Sequence, residues 1–180
     1  MIHAESCRIN ITRHALLRHS IVAHLEALRA EDKLILQAMR ALVRQRLDLR
    51  RDQHLLRTIK GLGAVSVLTL IAAFPELGHL DNKQAAALIG VAPFVHKSGT
   101  LTAPARIQGG RAAVRRVLYM AAVTASRHNP ILKPFYELYE RLIARGKPAK
   151  LALVALMRRL VIFANAVLRS GQPWKGAVLA

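Results

Sequence analysis

Ser98 is the side chain in this sequence whose neighbours best suit nucleophilic chemistry. His96 and Lys97 precede it, Gly99 follows it, and Arg106 lies a short distance further along the chain. A serine hydroxyl attacks poorly unless a base or a nearby positive charge helps to remove its proton. Attack on a phosphodiester also builds negative charge on the non-bridging oxygens, which Lys or Arg would stabilise. Ser98 is therefore a candidate nucleophile towards phosphodiesters, although a Ser–Gly pair is more often a simple turn.

Carboxylates for a metal-dependent nuclease are scarce. Mg²⁺ takes oxygen ligands and bridges the reacting phosphate, so such an enzyme needs several carboxylates that converge on one site. After Asp81 the chain holds only Glu137 and Glu140. The eight His are scattered, the single Cys excludes a cysteine-based zinc site, and no Gly-x-x-x-x-Gly-Lys-Ser/Thr phosphate loop occurs. The sequence predicts no metal site and no cofactor in this chain.

The charge of the chain indicates a polyanionic partner. Among 180 residues, 28 Lys and Arg outnumber 10 Asp and Glu, which gives a net charge of +18. Residues 1–81 hold 12 basic and 8 acidic side chains, whereas residues 82–180 hold 16 basic and 2 acidic ones. Nucleic acid is the first expected partner, and an acidic membrane surface is the alternative. Aromatic residues are only 4% of the chain, too few to stack splayed bases, so backbone contacts are expected.

Signals for secretion or membrane insertion are not recognisable. The first twenty residues mix His, Arg and Glu without an apolar signal-peptide core, and the longest strongly apolar run without charge, 61–74, is too short to span a bilayer. The basic charge is spread over a helical domain punctuated by Gly and Pro, unlike the single basic amphipathic helix of a membrane-surface binder. We expect a cytoplasmic, nucleoid-associated protein with no membrane partner.

Helices are the elements expected to position these residues. Residues 1–15 lack a clear period and are expected to be irregular. Residues 16–56 contain no Pro or Gly, and apolar residues recur at every seventh position, which predicts one long coiled-coil-like helix: Ile21, Leu28, Ile35, Leu42, Leu49 and Leu56. The companion positions four residues later are partly polar. The helix is therefore either a member of a bundle or a coil through which copies of the chain form a homo-oligomer.

A candidate helix-hairpin-helix lies at residues 56–63, where a helix end meets Gly-Leu-Gly and a short apolar helix begins at 64–73. The glycines permit a tight turn and let a DNA phosphate approach the backbone N–H groups of the next helix. Lys60 adds positive charge beside them. Lys60, Gly61 and Gly63 are therefore predicted DNA contacts, and a simple helix–helix turn is the alternative.

Ser98 falls in a stretch of about twenty residues without periodicity, which is long for a compact helical domain. The preceding helix begins with a capping-box pattern at Asp81 and Gln84 and stops at Gly90. Long loops are commonly functional, so the loop after Gly90 is predicted to carry the chemistry.

The helix after this loop, 111–128, carries Arg111 and Arg115 four residues apart on one face. Their partners are expected to be anions, and a solvated basic face is the alternative. Further helices are predicted at 134–144 and 149–168. The remaining basic residues predicted to bind DNA or RNA are Lys97, Arg106, Arg116, Lys147 and Lys150.

The predicted fold is all-α, with a long N-terminal coiled-coil-like helix followed by a compact helical domain that contains the helix-hairpin-helix and the long functional loop. The predicted boundaries are an irregular start at 1–15, the helix at 16–56, a DNA-binding domain at 57–175 and a tail at 176–180.

From about residue 55 to residue 174 the chain resembles the C-terminal part of the insertion-sequence 110/116/902 transposases. The helix at 16–56 is similar to the coiled-coil segment that precedes this domain in the family. The blocks that carry the resemblance are Leu56 to Gly63, Ala85 to Pro93, Ser98-Gly99, Arg111 to Leu118 with Ala121-Ala122, Asn129-Pro130 and Gly146-Lys147-Pro148.

The resemblance implies an RNA-guided DNA recombinase whose C-terminal domain supplies a serine that joins covalently to DNA. Ser98 lies where that serine is expected, so the resemblance favours a nucleophile over a turn residue. DNA and a guide RNA are the implied partners. The implied function is transposition or site-specific recombination of DNA.

The family's N-terminal half is a RuvC-like domain whose Asp-Glu-Asp-Asp set holds Mg²⁺, and this chain is expected to lack it. We expect a truncated copy, a remnant or a fragment of a split element, with Mg²⁺ supplied only through the missing acidic domain. Catalysis by this chain alone is therefore in doubt. The alternative function is a non-catalytic helical DNA-binding remnant that dimerises through its coil.

Overall fold

The computed structural model describes residues 1–94, 97–98, 101–102, 106–146 and 149–175. Within these residues there are eight α-helices and four strands of two residues each. The chain divides into two compact units, Met1–Leu47 and Asp48–Ala180. The predicted, predominantly helical architecture is confirmed, with short strands added in one segment.

The first unit contains helix α1 (Ile2–Ile11) packed against helix α2 (Ala15–Gln45). Glu5 of α1 accepts hydrogen bonds from Arg8 and lies 3.7 Å from Nδ1 of His24 on α2. The expectation of an irregular start at 1–15 is wrong. The apolar residues of α1 are not gathered on one side, and the helix buries none of its residues, so no periodic pattern marks it in the sequence.

The single helix expected at 16–56 is two helices. Helix α2 ends at Gln45, Arg46 has an extended backbone with φ of −106° and ψ of 119°, and helix α3 (Leu47–Arg57) follows at once. No Gly or Pro marks the break, so the usual signals for a helix end are missing. The predicted boundary at 56/57 therefore differs from the division of the structure after Leu47.

The apolar seam of α2 is only partly covered. Ile21 and Leu25 are buried, whereas Ile35 and Leu42 expose 54% and 58% of their surface. A coiled-coil seam needs a facing helix along its whole length. At Ile35 and Leu42, in the second half of α2, the described residues leave the seam exposed.

The second unit is a helical domain built around its last helix. Helix α8 contacts α5, α6 and α7, and α6 also contacts α4. Besides α3, the helices are α4 (Ala64–Ala73), α5 (Asn82–Ile89), α6 (Ala112–His128), α7 (Leu132–Ala144) and α8 (Ala149–Ser170). The fully buried side chains that join them include Leu56, Ile59, Phe74, Ile89, Leu118, Leu156 and Leu160.

Helix α8 is also long and apolar enough to cross a membrane by length and composition. Its segment Lys150–Ser170 has a mean hydropathy of 2.0, and half of the apolar window is buried inside the protein. Because three other helices pack on α8, its position in the core accounts for this composition.

Within the loop predicted to be irregular, residues 93–94, 97–98, 101–102 and 106–107 form four short strands, and we call these described residues the serine hairpin. Its outer strands pair antiparallel, as do its inner strands, with Ser98 opposite Leu101. The strands are β1 (Pro93–Phe94), β2 (Lys97–Ser98), β3 (Leu101–Thr102) and β4 (Arg106–Ile107). Strands of two residues are too short to show the alternation by which a strand is recognised in sequence.

Candidate active site and nucleic-acid interface

The serine hairpin follows the end of α5 within the second unit. The capping box predicted for this helix is present. Oδ1 of Asp81 accepts hydrogen bonds from the N–H groups of Lys83 and Gln84 at 2.7 Å, and Oε1 of Gln84 accepts one from the Asp81 N–H at 3.1 Å. At the other end Gly90 is left-handed, with φ of 76°. The N–H groups of Gly90 and Val91 both return to carbonyls of the last turn at 2.9 Å, which is a Schellman closure.

The hairpin returns to the same place at the start of α6. The Arg111 N–H donates to the carbonyl of Leu88 at 3.1 Å, so the two ends of the hairpin run side by side. Gly90 and Gly110 face each other there, with φ of 76° and 71°. A Cβ on Gly110 would collide with backbone atoms of Ile89 and Gly90, and a Cβ on Gly90 would collide with the carbonyl of Gly109.

Arg115 bridges these two ends. Its Nη1 donates to the carbonyl of Ile89, the last residue of α5, at 3.1 Å, and also to the carbonyl of Gly109 on the returning strand. The side chain predicted to grip an external anion is thus engaged inside the protein.

Arg111 forms a second set of hydrogen bonds near the base of the hairpin, between the start of α6 and residues 73–76. Its two terminal nitrogens donate to the two carboxylate oxygens of Glu76 at 2.6 and 2.7 Å, and one of them also donates to the carbonyl of Ala73 at 2.8 Å. Its guanidinium carbon lies 5.1 Å from the centre of the Phe74 ring. An anionic partner for Arg111 was expected, and the partner found is a carboxylate of the chain itself.

This ion pair has a consequence for acid titration. The hydrogen bonds from Arg111 lower the pKa of Glu76 from 4.5 to about 2. Because the folded pKa lies below the ordinary value, the stability that the pair contributes is present above pH 4.5 and is lost as the pH falls towards 2. An NMR titration of the Glu76 carboxyl carbon should therefore show a midpoint near 2 in the native chain. In Arg111→Gln the midpoint should return towards 4.5, and a native midpoint at 4.5 would contradict the pairing.

The loop that carries Glu76 is fixed by a buried amide of α8. Asn165 is fully buried; its Oδ1 accepts the N–H of Gly78 at 2.8 Å, and its Nδ2 donates to the carbonyl of Leu80 at 2.8 Å. Buried polar side chains in an apolar helix are stable when both amide groups are satisfied. Asn165 thereby holds the 75–81 loop beside the base of the hairpin.

The candidate helix-hairpin-helix turn uses its two glycines differently. Gly61 has φ of 110° and packs on α6, where a Cβ would lie 2.5 Å from Cβ of Ala125. Gly63 precedes α4, is exposed and has no atom within 4 Å of its Cβ position. Because no side chain caps α4, its first N–H groups are open to an external acceptor. Lys60 is exposed beside this helix terminus.

Asn129 holds this turn on the junction between α6 and α7. The side chain is 1% exposed, and its Nδ2 donates to the carbonyl of Lys60 at 2.7 Å. Its Oδ1 accepts the N–H groups of Ile131 and Leu132 at 3.0 and 3.2 Å, which caps the start of α7. A single buried amide therefore connects the turn to two helices.

The predicted site residues separate into groups along α6. Arg111 and Arg115 sit at its start with the hairpin base, and the Gly61 turn rests against Ala121 and Ala125. Ten residues of helix separate Arg115 from Ala125, which is roughly 15 Å. Ser98 and Lys97 lie in β2 and Arg106 in β4, Arg116 and Lys150 are exposed on α6 and α8, and Lys147 lies outside the described residues.

A metal site is not formed by the described part of the chain, because no three His, Cys, Asp or Glu side chains cluster there. The acidic set that the resemblance implies for Mg²⁺ is therefore not offered by these residues.

Comparison with known proteins finds a family model that matches part of this chain. Residues 53–137 match the model of the Transposase IS116/IS110/IS902 family, and this segment includes the Gly61 turn, the serine hairpin and α6. Two relatives are the pilin gene-inverting proteins of Moraxella bovis and Moraxella lacunata, each 29% identical over 130 residues. The match covers 71% of this chain and 40% of each relative, so the chain spans less than half of their length.

Proposed function

We propose, from the premise that residues 53–137 carry the domain of the Transposase IS116/IS110/IS902 family, that this chain acts in DNA transposition or site-specific recombination. In this role the second unit binds DNA and the serine hairpin presents Ser98 as the nucleophile. The main support is that Ser98 lies in a strand of a hairpin whose two ends are fixed to α5 and α6. The similarity to proteins named for gene inversion favours the same class of reaction.

The proposed step is a transfer of one phosphodiester bond. The hydroxyl oxygen of Ser98 forms a bond to phosphorus, and the bond from phosphorus to one deoxyribose oxygen breaks. The serine proton passes to a base, and the departing oxygen takes up a proton and leaves as a free hydroxyl. One ester bond replaces another, so the covalent intermediate can be reversed to rejoin DNA. Lys97, next to Ser98 in β2, and Arg106 in β4 would offset charge on the non-bridging oxygens.

The proposed nucleophile is tested by trapping the covalent product. A separate acidic domain of the RuvC-like type, a guide RNA and cleavable DNA are supplied with the chain, and protein–DNA adducts are separated on a denaturing gel. Ser98→Ala is expected to abolish the adduct. Thr102→Ala, which removes a hydroxyl from the opposite strand of the same hairpin, should keep it. An adduct formed by Ser98→Ala would overturn the assignment.

DNA binding is proposed to be mainly electrostatic, through phosphates. Lys60 and Arg116 are exposed, and the open start of α4 offers N–H groups to a phosphate. Each phosphate contact by Lys or Arg lowers the slope of log K against log salt by about 0.9.

The slope should therefore become less steep by about 1 in either Lys60→Ala or Arg116→Ala. Fluorescence anisotropy with a labelled duplex between about 50 and 200 mM salt measures it. Binding of the native chain that ignores salt would contradict this mode of recognition.

A guide RNA and self-association remain proposals for the partners of this chain. The exposed part of the α2 seam, at Ile35 and Leu42, suits pairing with α2 of a second copy. The second candidate function is a non-catalytic DNA-binding remnant. It is favoured by the lack of an acidic cluster in the described residues, and salt-dependent binding without any covalent product would support it.

A further inference from the structure

The orientation of the serine hairpin is set at its base. Among the described elements, β2 and β3 make their substantial contacts with each other, as do β1 and β4. Direct ties between the hairpin ends and the helical body lie at the end of α5 and the start of α6. Whatever fixes these ends therefore fixes the direction in which β2 extends.

Backbone packing at the base requires glycine both at the end of α5 and just before α6. The Cα of Gly90 lies against the carbonyl of Gly109, and the Cα of Gly110 lies against the backbone of Ile89. Gly90 and Gly110 also have φ of 76° and 71°, which L side chains rarely adopt. The approach of the two strands is thus closer than any residue with a Cβ permits.

Arg115 completes this base with a single planar group. One of the carbonyls that it binds belongs to Ile89, the last residue of α5. A carbonyl at this position has no hydrogen-bond donor within its own helix. The other, that of Gly109, belongs to the returning strand. Both bonds come from the same nitrogen, Nη1, which the rigid guanidinium plane holds in place, whereas an ammonium is a compact point charge on a flexible stem. Arg115 therefore holds both ends of the hairpin at a defined separation.

Arg111 supports the base from outside rather than closing it. Its guanidinium ties the start of α6 to Glu76 and to the carbonyl of Ala73. The Arg111 and Glu76 side chains are 34% and 42% exposed, so solvent weakens this ion pair. The bonds of Arg115 go to the two hairpin ends themselves, which makes Arg115 the more direct determinant of hairpin direction.

We propose that Arg115, together with the glycine pair Gly90 and Gly110, locks the base of the serine hairpin and thereby positions Ser98 for attack. The proposal rests on the proposed function, because it assigns a positioning residue to the proposed nucleophile. Ser98 is eight residues beyond Gly90, at most roughly 25 Å of extended chain. A rotation of a few degrees at the base moves Ser98 by an ångström or more, and a misplacement of about 1 Å can cost about 100-fold in rate.

Two measurements on the full chain test the proposal. Hydrogen exchange with mass spectrometry follows the amides of residues 92–108, with α6 and α8 as internal references. The rate of covalent adduct formation is measured at saturating DNA with the acidic domain and guide RNA supplied. The variants are Arg115→Ala, Arg115→Lys and Arg116→Ala, the last removing the adjacent, exposed positive charge of α6.

Arg115→Ala is expected to raise hairpin exchange about tenfold or more, as loss of a charged hydrogen bond implies, while α8 is unchanged. Its adduct rate should fall about 100-fold at saturating DNA. Arg115→Lys should recover part of both effects. Arg116→Ala should weaken DNA binding but leave hairpin exchange at the native value.

If hydrogen exchange at residues 92–108 is unchanged in Arg115→Ala, Arg115 does not fix the base of the hairpin, and this conclusion holds for any rate of adduct formation. Raised exchange with a native adduct rate would overturn the positioning of Ser98. If the native chain forms no adduct at all, the proposed function fails and the catalytic half of this inference fails with it, while the exchange data still decide whether Arg115 orders the hairpin.

Discussion

Gly110→Ala should lower the free energy of unfolding by about 2–5 kcal/mol, the sum of a left-handed backbone and an overpacked contact. The residue has φ of 71°, and its Cβ would enter the backbone of Ile89 and Gly90. Neither obstacle is the end of a flexible side chain, so the strands must separate to admit the methyl group. Urea unfolding followed by circular dichroism measures the loss.

Gly109 provides a matched control for this prediction. It also has a left-handed φ, 67°, but its Cβ position is open, with no atom within 4 Å. Gly109→Ala should therefore cost only about 1–2 kcal/mol, which is the backbone penalty alone. The difference between the two variants isolates the close approach at the hairpin base. Equal losses in Gly109→Ala and Gly110→Ala would show that the strands are not in contact there.

Asn129→Ala is expected to lower the free energy of unfolding by about 2–4 kcal/mol, because it leaves buried partners unsatisfied. The carbonyl of Lys60 loses its donor, and the N–H groups of Ile131 and Leu132 lose their acceptor. The Gly61 turn is released from α6 by the same change. DNA affinity should fall together with stability when measured by anisotropy below the unfolding transition.

Ser126→Ala is the control for Asn129→Ala. Ser126 is also buried on α6, but its hydroxyl donates to the carbonyl of Val123 within the same helix, at 2.8 Å. Its removal should cost less than about 1 kcal/mol, because such local bonds add little to a helix. If Asn129→Ala were as mild as Ser126→Ala, the amide would not be the link between the turn and the helices.

Local signals predicted the boundaries around the site well. Asp81 and Gln84 form the expected capping box, Gly90 ends α5 as expected, and α6 ends at His128 immediately before Asn129-Pro130. These features depend on residues within a few positions of one another. Such short-range signals for helix ends can be recognised in a single sequence.

Long-range partners were not predictable in the same way. The sequence placed Arg111 and Arg115 on one face and predicted anionic partners for both, but Glu76 lies 35 positions before Arg111, and Arg115 binds the neutral carbonyls of Ile89 and Gly109 instead. Only the fold brings that carboxylate to the start of α6. The partners of Asn165 were not predictable for the same reason. The sequence shows Asn165 as a polar residue in the apolar helix α8, but its hydrogen bonds to the 75–81 loop span more than eighty positions.

The errors have equally specific causes. The helix break at Arg46 is not accompanied by a Gly or Pro in the sequence. Helix α1 has no apolar face, so it lacks the periodic pattern that predicts a helix. The serine hairpin is built from pairs of residues, so the alternation of a strand never develops. In each case the element is fixed by contacts or backbone pairing that a periodic pattern does not record.

The most direct test of the account is to identify the residue that carries DNA in the trapped adduct. After nuclease and trypsin digestion, cleavage at Lys97 and Arg106 releases the peptide 98–106, which contains the hydroxyls of Ser98, Thr100 and Thr102. A nucleotide that blocks cleavage after Lys97 would appear instead on the peptide 84–106. Fragmentation by mass spectrometry should place the nucleotide on Ser98. A nucleotide on Thr100, Thr102 or any residue outside the serine hairpin would contradict the account.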